Sequence, residues 1–282
     1  REPAYLARLK EAGLTTVFLQ FDGTRDAIYQ QIRGRALLGL KLQALANCVA
    51  QGVGVVLVPT LIPEVNTGDI GNIIHLALAN MPVCRGVHFQ PVSHFGRYPS
   101  TLDRAARITL PEVIREIEFQ TGGMLPAEAF CPPGCENALC SFHGNFVLMP
   151  NGELKPISHF KETTCGCKPI VAAEGAAQAR KFVSANWANP ESAPEQSIFS
   201  RRPRMDELDI FLERKRTHTF CVSAMAFQDA WNLDLERLRD CCIHVASPDG
   251  KLVPFCAYNL TDRHGRSLYR NQPEVQRENH TD

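Results

Sequence analysis

The sequence predicts an α/β chain of parallel strand–helix–strand units, followed by a cysteine-rich α+β module. Two observations carry this expectation. From Tyr5 to Phe119, β-rich runs alternate with segments of helical period. Beyond Leu125, cysteines, prolines and short runs replace the alternation. The expected domains are therefore residues 1–124 and 125–282.

The elements read in order. Tyr5–Ala12 has the pattern of a short helix, and Thr15–Phe21 is a β-rich run that ends at Asp22-Gly23. Thr24–Arg33 and Ala36–Gln51 are helical in period; the second sets Leu37, Leu38, Leu45 and Val49 on a broad apolar face. Val55–Leu61 is almost continuously apolar, as a strand buried on both faces must be. Asp69–Ala79 reads as a helix and Val87–Val92 as a strand; Pro111–Phe119 reads as a helix with Pro in its first turn. Two later segments echo each other, Val147–Ser158 around Asn151-Gly152 and Val245–Cys256 around Asp249-Gly250. Each predicts a β-hairpin, because Asn-Gly and Asp-Gly supply the left-handed backbone of a tight turn. The stretch 189–200 is rich in Pro, Ser and Glu and reads as an exposed loop, and the polar residues after His264 as a frayed end.

Composition narrows the function. The 282 residues suffice for one large domain or two small ones. Thirty basic and thirty acidic side chains leave no net charge, so nothing favours nucleic acid. Apolar runs such as Val53–Ile62 fall far short of the ~20 residues needed to span a membrane. The chain opens on Arg1-Glu2-Pro3 without Met or an apolar signal, and reads as the interior of a longer gene product. Eleven unevenly spaced cysteines fit a disulfide framework poorly and suit a reducing, cytoplasmic setting in which thiols bind metal.

Cys131, Cys135 and Cys140 fall within ten residues around Pro132-Pro133-Gly134, and Cys241, Cys242 and Cys256 follow in the second hairpin region. Soft thiolates suit iron–sulfur clusters and zinc. The lack of paired Cys-x-x-Cys spacing argues against a zinc ribbon. The competing reading is buried, unliganded thiols, favoured for Cys48, Cys84 and Cys221 and evenly balanced for Cys165 and Cys167. Gln20 and Asp22 end a predicted parallel strand, where α/β folds bind ligands; the alternative for Asp22 is a helix cap. Gln90 is a polar residue inside an apolar strand, which is costly without a partner. Arg33 is as compatible with a solvated helix end as with an anion contact; for His88, His94 and His143 a satisfied or exposed imidazole is the default.

Phe18-Leu19-Gln20-Phe21-Asp22-Gly23, Val58-Pro59-Thr60 with Asn66, and Gly86-Val87-His88-Phe89-Gln90 resemble the fourth to sixth barrel strands of radical S-adenosylmethionine (SAM) enzymes. Phe227-Gln228-Asp229-Ala230-Trp231-Asn232, Cys241-Cys242-Ile243-His244 and Pro254-Phe255-Cys256-Ala257-Tyr258-Asn259 resemble the branch of tetraether-lipid synthase and the TrsS-type proteins, the latter most closely. The resemblance implies the C-terminal part of a six-stranded (β/α) barrel with an auxiliary-cluster module. It implies 4Fe-4S clusters and SAM as cofactors, and a 5′-deoxyadenosyl radical that abstracts hydrogen from an undefined substrate. A reductant such as flavodoxin or ferredoxin is implied as well. Gln20, Asp22, Asn66 and Gln90 would contact SAM, and Cys131, Cys135, Cys140, Cys241, Cys242 and Cys256 would hold auxiliary clusters. The family's Cys-x3-Cys-x2-Cys does not occur here, so the chain is expected to be inactive without the segment that carries it. The alternatives are a non-catalytic iron–sulfur or zinc module, and an ordinary α/β enzyme. Against the latter, neither Gly-x-Ser-x-Gly nor Gly-x-Gly-x-x-Gly is present.

Overall fold

The computed structural model describes residues 3–95, 107–134, 137–158, 171–190, 206–248, 250–262, 264 and 266–270. The chain divides into two compact units, residues 1–92 with 107–226, and residues 93–106 with 227–282.

The first unit begins with α1 (Pro3–Glu11), β1 (Thr16–Gln20), α2 (Asp26–Arg33), α3 (Leu38–Gln51) and β2 (Gly54–Val58). Then come β3 (Thr60–Leu61), α4 (Ile70–Ala79), β4 (Cys84–Pro91) and α5 (Leu110–Gln120). It closes with β5 (Ser141–Leu148), β6 (Leu154–Pro156), α6 (Ala172–Asn186), α7 (Glu207–Thr217) and β7 (Thr219–Met225). The run Val55–Leu61, expected as one strand, is interrupted at Pro59, which has no N–H for the ladder. Its continuation β3 pairs with β4, as β2 also does. Thr109 caps α5 in a reciprocal capping box with Glu112.

These strands form one sheet in the order β1-β2-β4-β7-β5-β6, with β3 beside β4. Strands β1, β2, β4 and β7 run parallel, and β5 runs antiparallel to both β7 and β6. The fold is thus mixed α/β around a largely parallel sheet. Because side chains alternate along a strand, register assigns each to a face. One face carries Val55, Leu57, Val87, Phe89, Phe142, Phe146, Phe220, Val222 and Ala224. These pack into a single apolar core with Leu45 and Cys48 of α3, Ile70, Ile73 and Ile74 of α4, and Val113 and Ile117 of α5. The apolar length of the strands and the apolar stripes of three helices produce this layer.

The units do not divide at residue 124. Strands β5, β6 and β7 come from the cysteine-rich half, yet they complete the sheet and share its core. Phe142, Phe146 and Phe220, none more than 5% exposed, explain why: they share one apolar core with α3, α4 and α5 of the first half, and Phe130 packs on the first two.

The second unit adds α8 (Leu235–Arg239), the hairpin of β8 (His244–Ala246) and β9 (Leu252–Pro254), and α9 (Phe255–Tyr258). Both expected hairpins form, with Gly152 at φ 86° and Gly250 at φ 80° in their turns, a conformation that glycine adopts without strain. In the second unit Asp229 is fully buried; it accepts from the amides of His94 (2.7 Å) and Trp231 (3.0 Å). The Phe227 and Phe255 rings pack 4.9 Å apart.

Candidate functional site

The C-terminal ends of β1, β2 and β4 lie side by side, and polar side chains gather there. Asp22, just past β1, is fully buried. Arg33 donates to both of its carboxylate oxygens, from Nε at 2.8 Å and Nη2 at 3.0 Å. Gln20 Nε2 donates to Oδ1 at 2.7 Å, and the Thr60 amide to the same oxygen at 3.1 Å. Asp22 therefore does not cap α2; the residue at that cap is Arg25, whose side chain makes no capping bond. Of the two possibilities for Arg33, the structure selects the anion contact, with Asp22 as the anion.

Asn66 is 1% exposed and ties two strand exits together. Its Nδ2 donates to the Asp22 and Thr60 carbonyls, at 2.8 and 2.7 Å, while its Oδ1 accepts from the Ile62 amide at 2.7 Å. Nearby Asp69, also fully buried, accepts from the Thr24 amide at 2.6 Å and from Asn72 Nδ2 at 2.8 Å. The Tyr29 hydroxyl is buried against the Asp22 and Gly23 backbone, and burial pushes its pKa up. Gln20 Nε2 also reaches Thr60 Oγ1 at 3.3 Å, and Thr60 is the register partner of Gln90. The half-buried Gln90 side-chain amide makes no hydrogen bond among the described residues, while its backbone N–H donates to the Pro59 carbonyl. Gln20, Thr60 and Gln90 thus form a polar row at one end of the parallel strands. Asp22 and Asn66 spend their polar atoms holding the row in place.

The sheet face opposite the core continues this polarity. Register puts His88 of β4, Ser223 of β7 and His143 of β5 in one cross-strand row. His88 Nδ1 and Ser223 Oγ are hydrogen-bonded at 2.9 Å, which satisfies one ring nitrogen. Burial pushes its pKa down to about 4, which leaves the imidazole neutral at pH 7. Thr60 and Ser223 were not singled out from the sequence. The signal for both was a small hydroxyl residue within an otherwise apolar strand.

The thiols fall in different places. Cys131 and Cys140 belong to the first unit, and Cys241, Cys242 and Cys256 to the second. Cys135, Cys165 and Cys167 lie outside the described residues. Cys131 is bridged to His143 of β5 through their backbones. Cys241 donates to the Ile243 carbonyl at 3.1 Å, and Cys256 accepts from the Gln228 amide at 3.3 Å. Among the described residues no three Cys, His, Asp or Glu side chains converge as a metal ligand set. The described thiols do not fit a cluster, and the chain has no Cys-x3-Cys-x2-Cys. Cys48, Cys84 and Cys221 are buried in the sheet and its helices, as expected of packed thiols. Burial pushes Cys84 up to about 12 and Cys221 up to about 11. No helix of the described residues is long and apolar enough to cross a membrane.

No protein-family model matches the chain. Compared with curated proteins, it is 32% identical over 297 residues to 7,8-dihydro-6-hydroxymethylpterin dimethyltransferase of Methanocaldococcus jannaschii. The match covers 92% of this chain and 58% of that protein, so the chain spans little more than half the relative's length. The relative is an enzyme, and its name states methyl transfer. The relative is named as a pterin dimethyltransferase and not as a member of the TrsS-type branch to which the C-terminal motifs pointed.

Proposed function

We propose that this chain forms the SAM-binding sheet and adjoining substrate region of a radical SAM methyltransferase that acts on a pterin-like fused heterocycle. The observation that carries the reading is the 32% identity, sustained along 92% of the chain, to a pterin dimethyltransferase. The polar row at the strand ends supports it, because open parallel sheets bind ligands at the carboxyl ends of their strands. SAM supplies an activated methyl group or, on one-electron reduction, a carbon radical. In this reading Gln20 and Gln90 hydrogen-bond its polar groups. Asp22 and Asn66 are positioning residues: Asp22 orients Gln20 through the 2.7 Å bond, and Asn66 fixes the exits of β1 and β3. The neutral His88 can donate or accept a hydrogen bond toward substrate without introducing charge. The complete enzyme would take electrons from a carrier such as flavodoxin or ferredoxin, in a reducing cytoplasm.

Anaerobic equilibrium dialysis of the 282-residue chain with radiolabelled SAM tests it. The expected result is saturable binding, weakened roughly 3- to 10-fold by Gln90→Leu and by Gln20→Leu. That range corresponds to the ~0.5–1.5 kcal/mol of one neutral hydrogen bond. Absence of SAM binding, or binding indifferent to both substitutions, would overturn the assignment.

A further inference from the structure

A second recess lies in the first unit, away from the Gln20–Thr60–Gln90 row. It is a cavity of about 820 Å³ with His143 and Asn145 of β5 on its floor. Phe182 of α6 and Leu212, Lys215 and Arg216 of α7 form its walls. The volume lies within the range of small-molecule pockets. His143 belongs both to this floor and to the His88–Ser223 row, so the cavity opens on the polar face of the sheet.

Its electrostatics are one-sided. The described lining residues include two cations, an imidazole and two amides, Asn145 and Asn186, but no carboxylate. Lys215 and Arg216 sit in the last turn of α7, where cations favour the helix dipole whatever else they do. Three observations go beyond that. Neither cation has an ion-pair partner among the described residues. The half-buried Asn145 side-chain amide likewise has no hydrogen-bond partner among them. Behind the two helical walls, Arg85 of β4 is 1% exposed and donates only to carbonyls: Asn186 at 2.5 Å, Thr217 at 2.6 Å and Pro82 at 3.1 Å. Among the described residues, positive charge is thus concentrated around the cavity without an acidic side chain in its lining.

We propose that this cavity binds a small organic oxyanion, a phosphoester or carboxylate. Its charged end meets Lys215, Arg216 and the Asn145 amide, and its apolar body lies against Phe182 and Leu212. The amide and the two cations are the donors an oxyanion requires. The inference does not rest on the SAM reading, because the cavity residues are not those of the strand-end row.

Isothermal titration of the full chain at constant ionic strength tests it, with inorganic diphosphate and glutarate as separate probes. The expected result is saturable binding of at least one probe; the one bound more tightly identifies the phosphoester or the carboxylate class. The Lys215→Gln/Arg216→Gln double variant should weaken it at least tenfold, and Asn145→Leu about threefold. Arg180→Gln, an exposed α6 cation absent from the lining, should leave it unchanged. Thermal unfolding verifies that each variant is folded; if the double variant is not, Asn145→Leu decides. No saturable binding of either probe, no effect of the cavity substitutions, or equal loss in Arg180→Gln would overturn the proposal. Loss of SAM binding with oxyanion binding intact would leave it standing.

Discussion

Arg85 offers the sharpest test of how the first unit is held together. It is a fully buried guanidinium whose hydrogen-bond partners are three main-chain carbonyls, two of them at the C-terminal ends of α6 and α7. Hydrogen bonds from a charged donor contribute about 1.5–3 kcal/mol each. Desolvating the guanidinium costs several kcal/mol and offsets much of that sum. Arg85→Met keeps the volume but leaves three interior carbonyls short of a donor, at about 1–3 kcal/mol each. Since the buried charge is removed as well, the net destabilisation should be about 3 kcal/mol. Arg85→Lys should fall in between, because a single ammonium cannot reproduce the guanidinium fork. Urea denaturation should show a lowered midpoint with an unchanged slope. Native-state hydrogen exchange should show lost protection concentrated around Asn186 and Thr217. A change below about 1 kcal/mol, or a loss of protection spread evenly over the sheet, would refute the argument that Arg85 pins these helix ends.

Two further perturbations follow from the buried charges. The folded-state pKa of His88 is lowered from 6.5 to about 4, so the unfolded chain takes up the proton first. Stability should therefore be level above pH 6.5 and decline as pH falls toward 4, by about 3 kcal/mol from this residue. His218, lowered to about 4 by burial and by Arg214 and Arg85, adds to the decline. Stability measured between pH 7 and 4.5 should lose about half its slope in His88→Gln, and an unaltered slope would contradict the assignment. Arg33→Met strands the buried Asp22 carboxylate and should cost about 3 kcal/mol, of which Asp22→Asn in the same chain recovers a part. A double variant no more stable than Arg33→Met alone, by thermal or chemical unfolding, would mean that the pair is not what Asp22 depends on.

Much of the local architecture was legible in the residues. The alternation through Phe119 yields β1, α2, α3, β2, α4, β4 and α5, each within a few residues of its expected span. Periodicity suffices there because each of those helices and strands buries one coherent apolar stripe. Asn151-Gly152 and Asp249-Gly250 marked both hairpins, since turn geometry is a property of a few adjacent residues. Gln20 and Gln90 could be nominated because polar residues at the ends of apolar strands need a reason to be there. Arg85 carried the same signal, a charge inside an apolar strand, but its partners stand 101 and 132 residues away in sequence.

The sequence by itself determined the elements, the hairpin turns, the packed thiols and a mixed α/β fold with parallel strands; the partial barrel and the separate cysteine-rich module stay expectations. Only the tertiary structure decided that β7 and β5 from the cysteine-rich half join the parallel sheet. It alone decided that Arg33 serves Asp22, that Asn66 ties two strand exits together, and that His88, Ser223 and His143 share one row. The physical reason is the range of the forces involved. Backbone preference and apolar period act over a few residues and can be read along the chain. Strand pairing, burial of charge and the meeting of polar side chains depend on which distant segments exclude water from one another, and that is settled only when the chain has packed.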